Sequence, residues 1–435
     1  MTASKLRRFS LWNYGASSSS NRSMRRQLSI YFIASALALS ASAQAAAHKK
    51  TGSKNKIRKV TQESPPPGLA EARLIGVYQL VAKSRIREAL DHAESLVRDY
   101  PNFQLAQLVL GDLLSARIRP VQTVGDVPLP VPNATATMLG ELRDESQMRL
   151  RALRERPPPG AIPSQFLALS ERNRHAIAVD ASRSRLYLFE NQASGLTLIG
   201  DYYVSIGKSG FEKRTEGDLR TPLGVYFITG SLDPHSLKDY YGSGALPINY
   251  PNELDNKRGK TGGGIWLHGT PRNQFSRPPQ ATDGCVVLAN PDLVRIIQTV
   301  QIRTTPVVIA KSLQWIKPNV ARSQSKPFEA ALAAWQNAKS HGNLDQVLSF
   351  YSSNFSSNGK TLSEWTPALR SQIDRVRGRS VQLKDLSLLH WTDASDTMVV
   401  TFGEVADGSR SGPTRRQYWE RRGNQWRIFY EGVVG

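Results

Sequence analysis

Chemistry in this sequence concentrates on one sulfur. Cys285 is the only cysteine. It closes the segment Ala281-Thr-Asp-Gly-Cys285 and leads into the apolar run Val286-Val-Leu-Ala289. Seventeen residues upstream, Gly262-Gly-Gly-Ile-Trp-Leu-His268-Gly269-Thr270 reads as a strand that delivers a histidine to its C-terminal end, with Gly269 letting the chain turn sharply. A free thiol titrates near pH 8.5 and is only partly ionised at neutrality. A neighbouring imidazole can take its proton and leave a strong nucleophile. Acyl transfer also needs amide donors aimed at the developing oxyanion, worth about 3–4 kcal/mol each. The backbone N–H groups of Asp283, Gly284 and Cys285 lie in a turn suited to that task, and Gly284 permits close approach to a substrate carbonyl. The expected pair is Cys285 as nucleophile and His268 as base. A single cysteine excludes an internal disulfide and any multi-cysteine metal site. Its other reading, an inert buried small hydrophobe, does not account for the flanking residues.

The elements that must position this pair are mostly strands. Ala176–Asp180, Arg185–Glu190, Leu196–Ile206, Gly224–Ile228, Gly264–His268 and Pro306–Ala310 carry period-two or short apolar patterns separated by turn residues. They predict a mainly β domain over 169–311. Ahead of it, 69–160 is helical: Leu74, Val77, Tyr78 and Val81, then Ile86, Ala89, Leu90, Ala93, Leu96 and Val97, repeat at three and four. Phe103–Ala116 and Leu139–Arg156 continue the pattern around a Pro-rich connector at 125–137. Ala89-Leu90, Leu96, Pro101, Leu108 and Gly111 are spaced as in one tetratricopeptide-type helix pair. Such a unit suits docking or homodimerisation, or a cap on the next domain. Residues 325–435 read as an α+β domain, with helices at Phe328–Ser340 and Leu344–Phe350. Strands follow at Val381–Trp391, Thr397–Val405, Thr414–Arg422 and Gln425–Gly432, with hairpin turns at Asp407-Gly408 and Gly423-Asn424.

The formal charge is +21, and the first 60 residues hold twelve Lys and Arg with no Asp or Glu. Met24-Arg25-Arg26, an apolar run from Leu28 to Leu39, and Ala41-Ser42-Ala43 or Ala43-Gln44-Ala45 form a signal-peptide pattern, so 1–45 is expected to be leader and signal. An uncleaved leader holding the chain at the inner membrane is the alternative. Residues 46–68 form a basic, Pro-rich linker. The chain is thus expected outside the cytoplasm, in the periplasm. Its positive charge favours anionic partners, and the absence of a nucleic-acid-binding motif argues against nucleic acid as one.

His268-Gly269, a spacer and Thr282-Asp283-Gly284-Cys285 resemble the signature of the L,D-transpeptidase catalytic domain, the YkuD family. Arg220-Thr-Pro-Leu-Gly-Val-Tyr226 resembles the family's upstream Thr-Pro-x-Gly strand, and Asn249-Tyr-Pro-Asn252, Asp255 and Lys260-Thr-Gly-Gly resemble the stretch before its histidine. The resemblance implies that Cys285 attacks the carbonyl between the diamino acid and terminal D-alanine of a peptidoglycan tetrapeptide stem. D-Alanine leaves with a proton from His268, and an amine or water takes the acyl group. It also implies that Gly269 orients the imidazole through its carbonyl oxygen, and that neither metal nor organic cofactor is needed. The partners are stem peptides, and a wall-anchored protein as possible acceptor. Thr282, Tyr240 and Asp255 are candidate substrate contacts.

Two departures matter. Many cross-linking members carry Arg two residues after the cysteine, where this chain has Val287, and many carry His where it has Asp283. The three-part layout resembles the branch of cell-shape L,D-carboxypeptidases whose C-terminal domain has the nuclear-transport-factor-2 fold. The residues carrying that last likeness are Phe328, Trp335, His341-Gly-Asn-Leu344 and Phe350-Tyr351. Hydrolysis of tetrapeptides to tripeptides, release of wall-linked lipoprotein, or non-catalytic binding of wall peptide are therefore alternatives to cross-linking. Trp365, Trp391, Tyr418, Trp419 and Trp426 could line a pocket for sugar or peptide, but are expected to fill the core of this cone-shaped fold.

Overall fold

The computed structural model describes residues 68–434, save 129 and 377–378. The expected leader and signal at 1–45, and the linker as far as residue 67, lie outside the described residues. Among the described residues, no helix is long and apolar enough to cross a membrane.

Four helices come first: α1 (Leu69–Ala82), α2 (Ile86–Asp99), α3 (Gln104–Ser115) and α4 (Asn133–Arg154). Leu74 and Val77, Ala89, Ala93 and Leu96, and Leu105, Val109 and Leu113 share one apolar core. This is the stripe that three-and-four spacing creates on a helix. Phe275 and Ala289 complete that core from the next domain, so the helices do not close on themselves. α4 starts earlier than Leu139, directly after Pro132.

The middle of the chain forms β1 (Ile162–Pro163), β2 (Phe166–Ala168), β3 (His175–Asp180), β4 (Arg185–Gln192), β5 (Gly195–Tyr203), β6 (Ile206–Gly207), β7 (Gly224–Phe227) and β8 (Ala245–Pro247). It continues with α5 (Glu253–Lys257), β9 (Trp266–His268), β10 (Gln280–Thr282), β11 (Val286–Val287), α6 (Asn290–Thr299) and β12 (Pro306–Ala310). Its frame is a sheet of order β5-β4-β3-β12-β7. Side chains alternate across a strand, and both faces of this sheet are covered. Ile177 and Val179 enter one core, while Ala176 and Ala178 enter another. That two-sided burial explains why β3 reads as a continuous apolar run. Over the first face lies a small sheet of order β11-β9-β8, with Leu293 and Ile296 of α6 beside it.

The rest comprises β13 (Trp315–Ile316), α7 (Pro318–Ser340), α8 (Leu344–Leu348), β14 (Ser356–Ser357), β15 (Lys360–Thr361), α9 (Leu362–Val376), β16 (Val381–Thr392), β17 (Asp396–Ala406), β18 (Thr414–Arg422) and β19 (Gln425–Val433). α7 begins at Pro318, upstream of the expected Phe328, because proline is well suited to a helix's first turn. Phe328, Leu332 and Trp335 of α7 pack on Val400, Phe402, Trp419 and Ile428. Trp391 and Tyr418 pack with Phe227 and Val308 of the preceding sheet, and Trp365 and Trp426 pack partly buried against the C-terminal domain's core. These aromatics are core. Gly423-Asn424 joins β18 to β19 as a two-residue turn, whereas Asp407-Gly408 opens a longer loop.

β2 does not join the five-stranded sheet that follows it. It hydrogen-bonds to β16, with Leu388 opposite Ala168 and Leu389 opposite Phe166, giving the C-terminal sheet the order β19-β18-β17-β16-β2. The ion pairs Arg258–Asp393 (2.6 Å) and Lys257–Glu420 (2.5 Å) add polar links across the same border.

Candidate active site

The pleat brings the two predicted residues to one side. β9 and β11 run parallel, with Leu267 opposite Val286 and His268 opposite Val287. Leu267 and Val286 both enter the core. Their neighbours His268 and Cys285 therefore belong to the opposite face. The Trp266 N–H donates to Cys285 Sγ at 3.4 Å, and the thiol points at the Gly264 carbonyl at 3.5 Å. No hydrogen bond joins the thiol to the imidazole.

His268 is buried, and its Nδ1 lies 2.8 Å from the Gly269 carbonyl oxygen. A carbonyl can only accept, so Nδ1 carries the proton of the neutral ring and Nε2 keeps the lone pair a base requires. Gly269 is not among the glycines with positive φ. Glycine is needed there for space, because a Cβ would collide with Asn290 Oδ1. Asn290 accepts from the N–H groups of Ser243 (2.9 Å) and Thr270 (3.2 Å) and donates to the Thr270 carbonyl (2.8 Å). It thereby ties down the chain just after the histidine.

The turn before the sulfur is folded by Thr282. Its buried hydroxyl donates to the Cys285 carbonyl (2.7 Å) and accepts from the Gly284 N–H (3.1 Å). The three amides named for the oxyanion are thus not equivalent. That of Gly284 is engaged, and those of Asp283 and Cys285 make no hydrogen bond to protein among the described residues. Gly284 has φ 124°, and a Cβ would stand 2.6 Å from the Arg220 carbonyl, so the close approach is to protein backbone. The Asp283 side chain pairs with Lys208 at 2.9 Å.

Of the candidate substrate contacts, Tyr240 alone stands exposed beside the pair, its ring 5.8 Å from that of His268. Thr282 is fully buried. Asp255 is buried too, with its carboxylate turned to protein groups. Its carboxylate accepts from Tyr226 Oη (3.0 Å), the Asn252 N–H (3.2 Å) and Lys260 Nζ (2.7 Å), and so caps α5. Val287 is buried in β11. Three neighbours escaped the sequence reading. Tyr241 packs edge-on against His268 at 5.1 Å and tilted against Trp266 at 4.9 Å. Arg277 covers Tyr240 at 4.3 Å. Asn290 is the third, and helix-start position was its only signal. Among the described residues, no group of three His, Cys, Asp or Glu could hold a metal.

Burial pushes the Cys285 thiol up to about 11, against the Trp266 N–H and the charges of Arg277 and Lys213, with the Asp283 carboxylate adding to the rise. Burial lowers His268 to about 4, outweighing its bond to Gly269, and the Arg277 charge lowers it further. Both groups are therefore neutral at pH 7. An imidazole protonated only below about 4 remains a base throughout pH 5–8. The acid limb of kcat/KM should fall well below the ordinary histidine value of about 6.5. Alkylation of Cys285 by iodoacetamide should be slow at neutrality and still rise near pH 10. An alkylation rate already level at pH 7 would instead reveal a standing thiolate–imidazolium pair.

A thiol and an uncharged base on one sheet face, with turn amides beside the sulfur, define the class: a cysteine acyl-transfer type of domain. Residues 174–309 match the family model for the L,D-transpeptidase catalytic domain, YkuD, and residues 327–432 match that for the Cds6 C-terminal NTF2-like domain. The chain therefore carries an L,D-transpeptidase-family catalytic domain, of a family that acts on peptidoglycan peptides, behind a helical region and ahead of an NTF2-like domain. It is similar to the structure of Bd1075 from Bdellovibrio bacteriovorus (23% identity, 63% of this chain and 98% of that one, TM-score 0.54). It is also similar to the helical cell shape determining protein Pgp2 from Campylobacter jejuni (23% identity, 62% of this chain and 95% of that one, TM-score 0.50). At these identities the likeness is one of fold. No curated protein sequence matches the chain.

Proposed function

We propose that this chain is an exported peptidoglycan L,D-transpeptidase acting in the periplasm on the bond between the diamino acid and D-alanine of tetrapeptide stems. The observation that supports it most is the pairing of β9 with β11, which gives His268 and Cys285 one common face. As substrate enters, His268 Nε2 takes the thiol proton and Sγ attacks the scissile carbonyl carbon. The amides of Asp283 and Cys285 receive the oxyanion, with each such donor worth about 3–4 kcal/mol of transition-state stabilisation. The C–N bond breaks, the departing amine takes the proton back from Nε2, and a thioester to Cys285 remains. An amine of a second stem or of an anchored protein then resolves it.

Transfer to water, making the chain an L,D-carboxypeptidase, is the second reading. Buried Val287 favours it, because the arginine of many cross-linking members has no counterpart at that position. So does the layout shared with a protein described as determining helical cell shape. Incubation of the processed protein with purified tetrapeptide muropeptides separates the two. Linked dimers are expected for the first reading and tripeptide monomers alone for the second. Release of neither product from a folded sample would leave both readings wrong.

A further inference from the structure

Four arginines are buried among the described residues: Arg149, Arg185, Arg277 and Arg415. Three of them each meet two carboxylates. Arg149 reaches Glu71 and Glu145, Arg185 reaches Glu71 and Asp201, and Arg415 reaches Glu404 and Glu431. Arg277 is 6% exposed and meets none. Its side-chain partners are on a single residue. Nη1 donates to Tyr240 Oη at 2.9 Å, and Nη2 donates to the Tyr240 carbonyl at 3.2 Å. A guanidinium presents five N–H donors in a planar fork that fits a carboxylate in a bidentate way. A desolvated charge with no counter-charge is costly, and here the missing partner would sit beside the nucleophile and base.

We propose that Arg277 is the specificity residue that receives the terminal carboxylate of the substrate's leaving D-amino acid, a role rooted in the loop between His268 and Cys285. The inference rests on the acyl-transfer reading above. The leaving amine must come to His268 for its proton, and its carboxylate is one carbon away. Tyr240 stands against His268, and Arg277 lies against Tyr240, so the cation is one ring removed from the base that the leaving group must reach.

The loop is built to hold this side chain still. The Arg277 carbonyl accepts from Tyr203 Oη at 2.9 Å. Before it, Ser276 Oγ donates to Glu145 at 2.7 Å, the Phe275 N–H donates to the Asn102 carbonyl, and the Phe275 ring stacks on Phe103 at 4.2 Å. After it, the Pro278 carbonyl accepts from Ser205 Oγ and the Pro279 carbonyl from the Ile206 N–H. With the backbone fixed on both sides, the guanidinium is pre-oriented, which reduces the ordering cost of binding.

The test is calorimetric binding of two ligands, a tetrapeptide stem and the same stem with its C-terminal carboxylate amidated. Each is titrated into the full chain carrying Cys285→Ala, and into Cys285→Ala/Arg277→Met. Neither titration requires turnover, so the result stands apart from whether the wild type cleaves. Amidation should weaken binding about 10- to 100-fold in the first protein and hardly at all in the second. Unchanged affinity of the second protein for the amidated stem controls for a disturbed loop. Equal losses on amidation in both proteins, no loss in the first, or no binding of either stem would overturn the proposal. If the clamp holds but the wild type releases no D-alanine, the acyl-transfer reading alone fails.

Discussion

Replacing Cys285 with alanine should lower release of D-alanine from a tetrapeptide stem by about 10⁵-fold or more, the scale seen when an activated nucleophile is deleted. The fold should survive. The thiol's protein contacts are two long hydrogen bonds, with the Trp266 N–H and the Gly264 carbonyl, and weak bonds of this kind contribute little to stability. The variant should therefore melt within a few degrees of the parent. Mass spectrometry after exposure to a carbapenem gives the second readout. The parent should gain one covalent adduct, on Cys285, and the variant none. A parent that folds, binds stem peptide and never acylates would point to a wall-peptide-binding protein, and residual turnover within tenfold of the parent would move the chemistry away from this sulfur.

The second large effect is on stability. Arg149 in α4 sits at the centre of a buried cluster that joins the helical region to the catalytic domain. It contacts Glu71 at 2.9 Å and Glu145 at 2.7 Å and lies 4.1 Å from the centre of the Tyr203 ring. Glu71 reaches on to Arg185, and Glu145 to Ser276. Although burial acts to raise the Glu71 carboxyl, Arg185 and Arg149 hold it below the usual carboxylate range. Arg149→Met strands the Glu145 carboxylate in a dry interior while Glu71 keeps Arg185, and loss of one partner from such a pair costs about 3–5 kcal/mol. Urea unfolding should show a transition moved by that amount. Adding Glu145→Gln should restore part of it, because no charge is then left alone, and this non-additivity marks a shared network. A loss below about 1 kcal/mol from Arg149→Met would mean that the cluster is not what joins the two units.

The candidate pair, His268 and Cys285, was readable because a strand–glycine pattern and a Thr-x-Gly-Cys turn are local, and local order decides where those side chains point. The strands of the central sheet were readable from short apolar runs. What escaped depends on distant partners. Asp255 looked available to substrate because nothing in its own stretch shows that Tyr226, from another strand, would claim its carboxylate. Arg277 sits in a Pro-rich loop without periodicity, and its meaning depends on Tyr240 and on helices far earlier in the chain. α6 and α9 were not foreseen, although Leu369, Ile373 and Val376 follow helical spacing, and each helix carries a proline, Pro291 in the first turn of α6 and Pro367 inside α9. The role of β2 could not be read at all, for three residues carry too little pattern to announce which sheet they will join.

That short strand has a mechanical meaning. Because 166–168 enters the catalytic domain by sequence yet belongs to the other domain's sheet by hydrogen bonding, the two bodies cannot swing apart without breaking a ladder and wetting a shared apolar seam. The pair behaves as one stiff frame. Any group on the distal domain is therefore held at a set span from Cys285, as the two jaws of a locked caliper are.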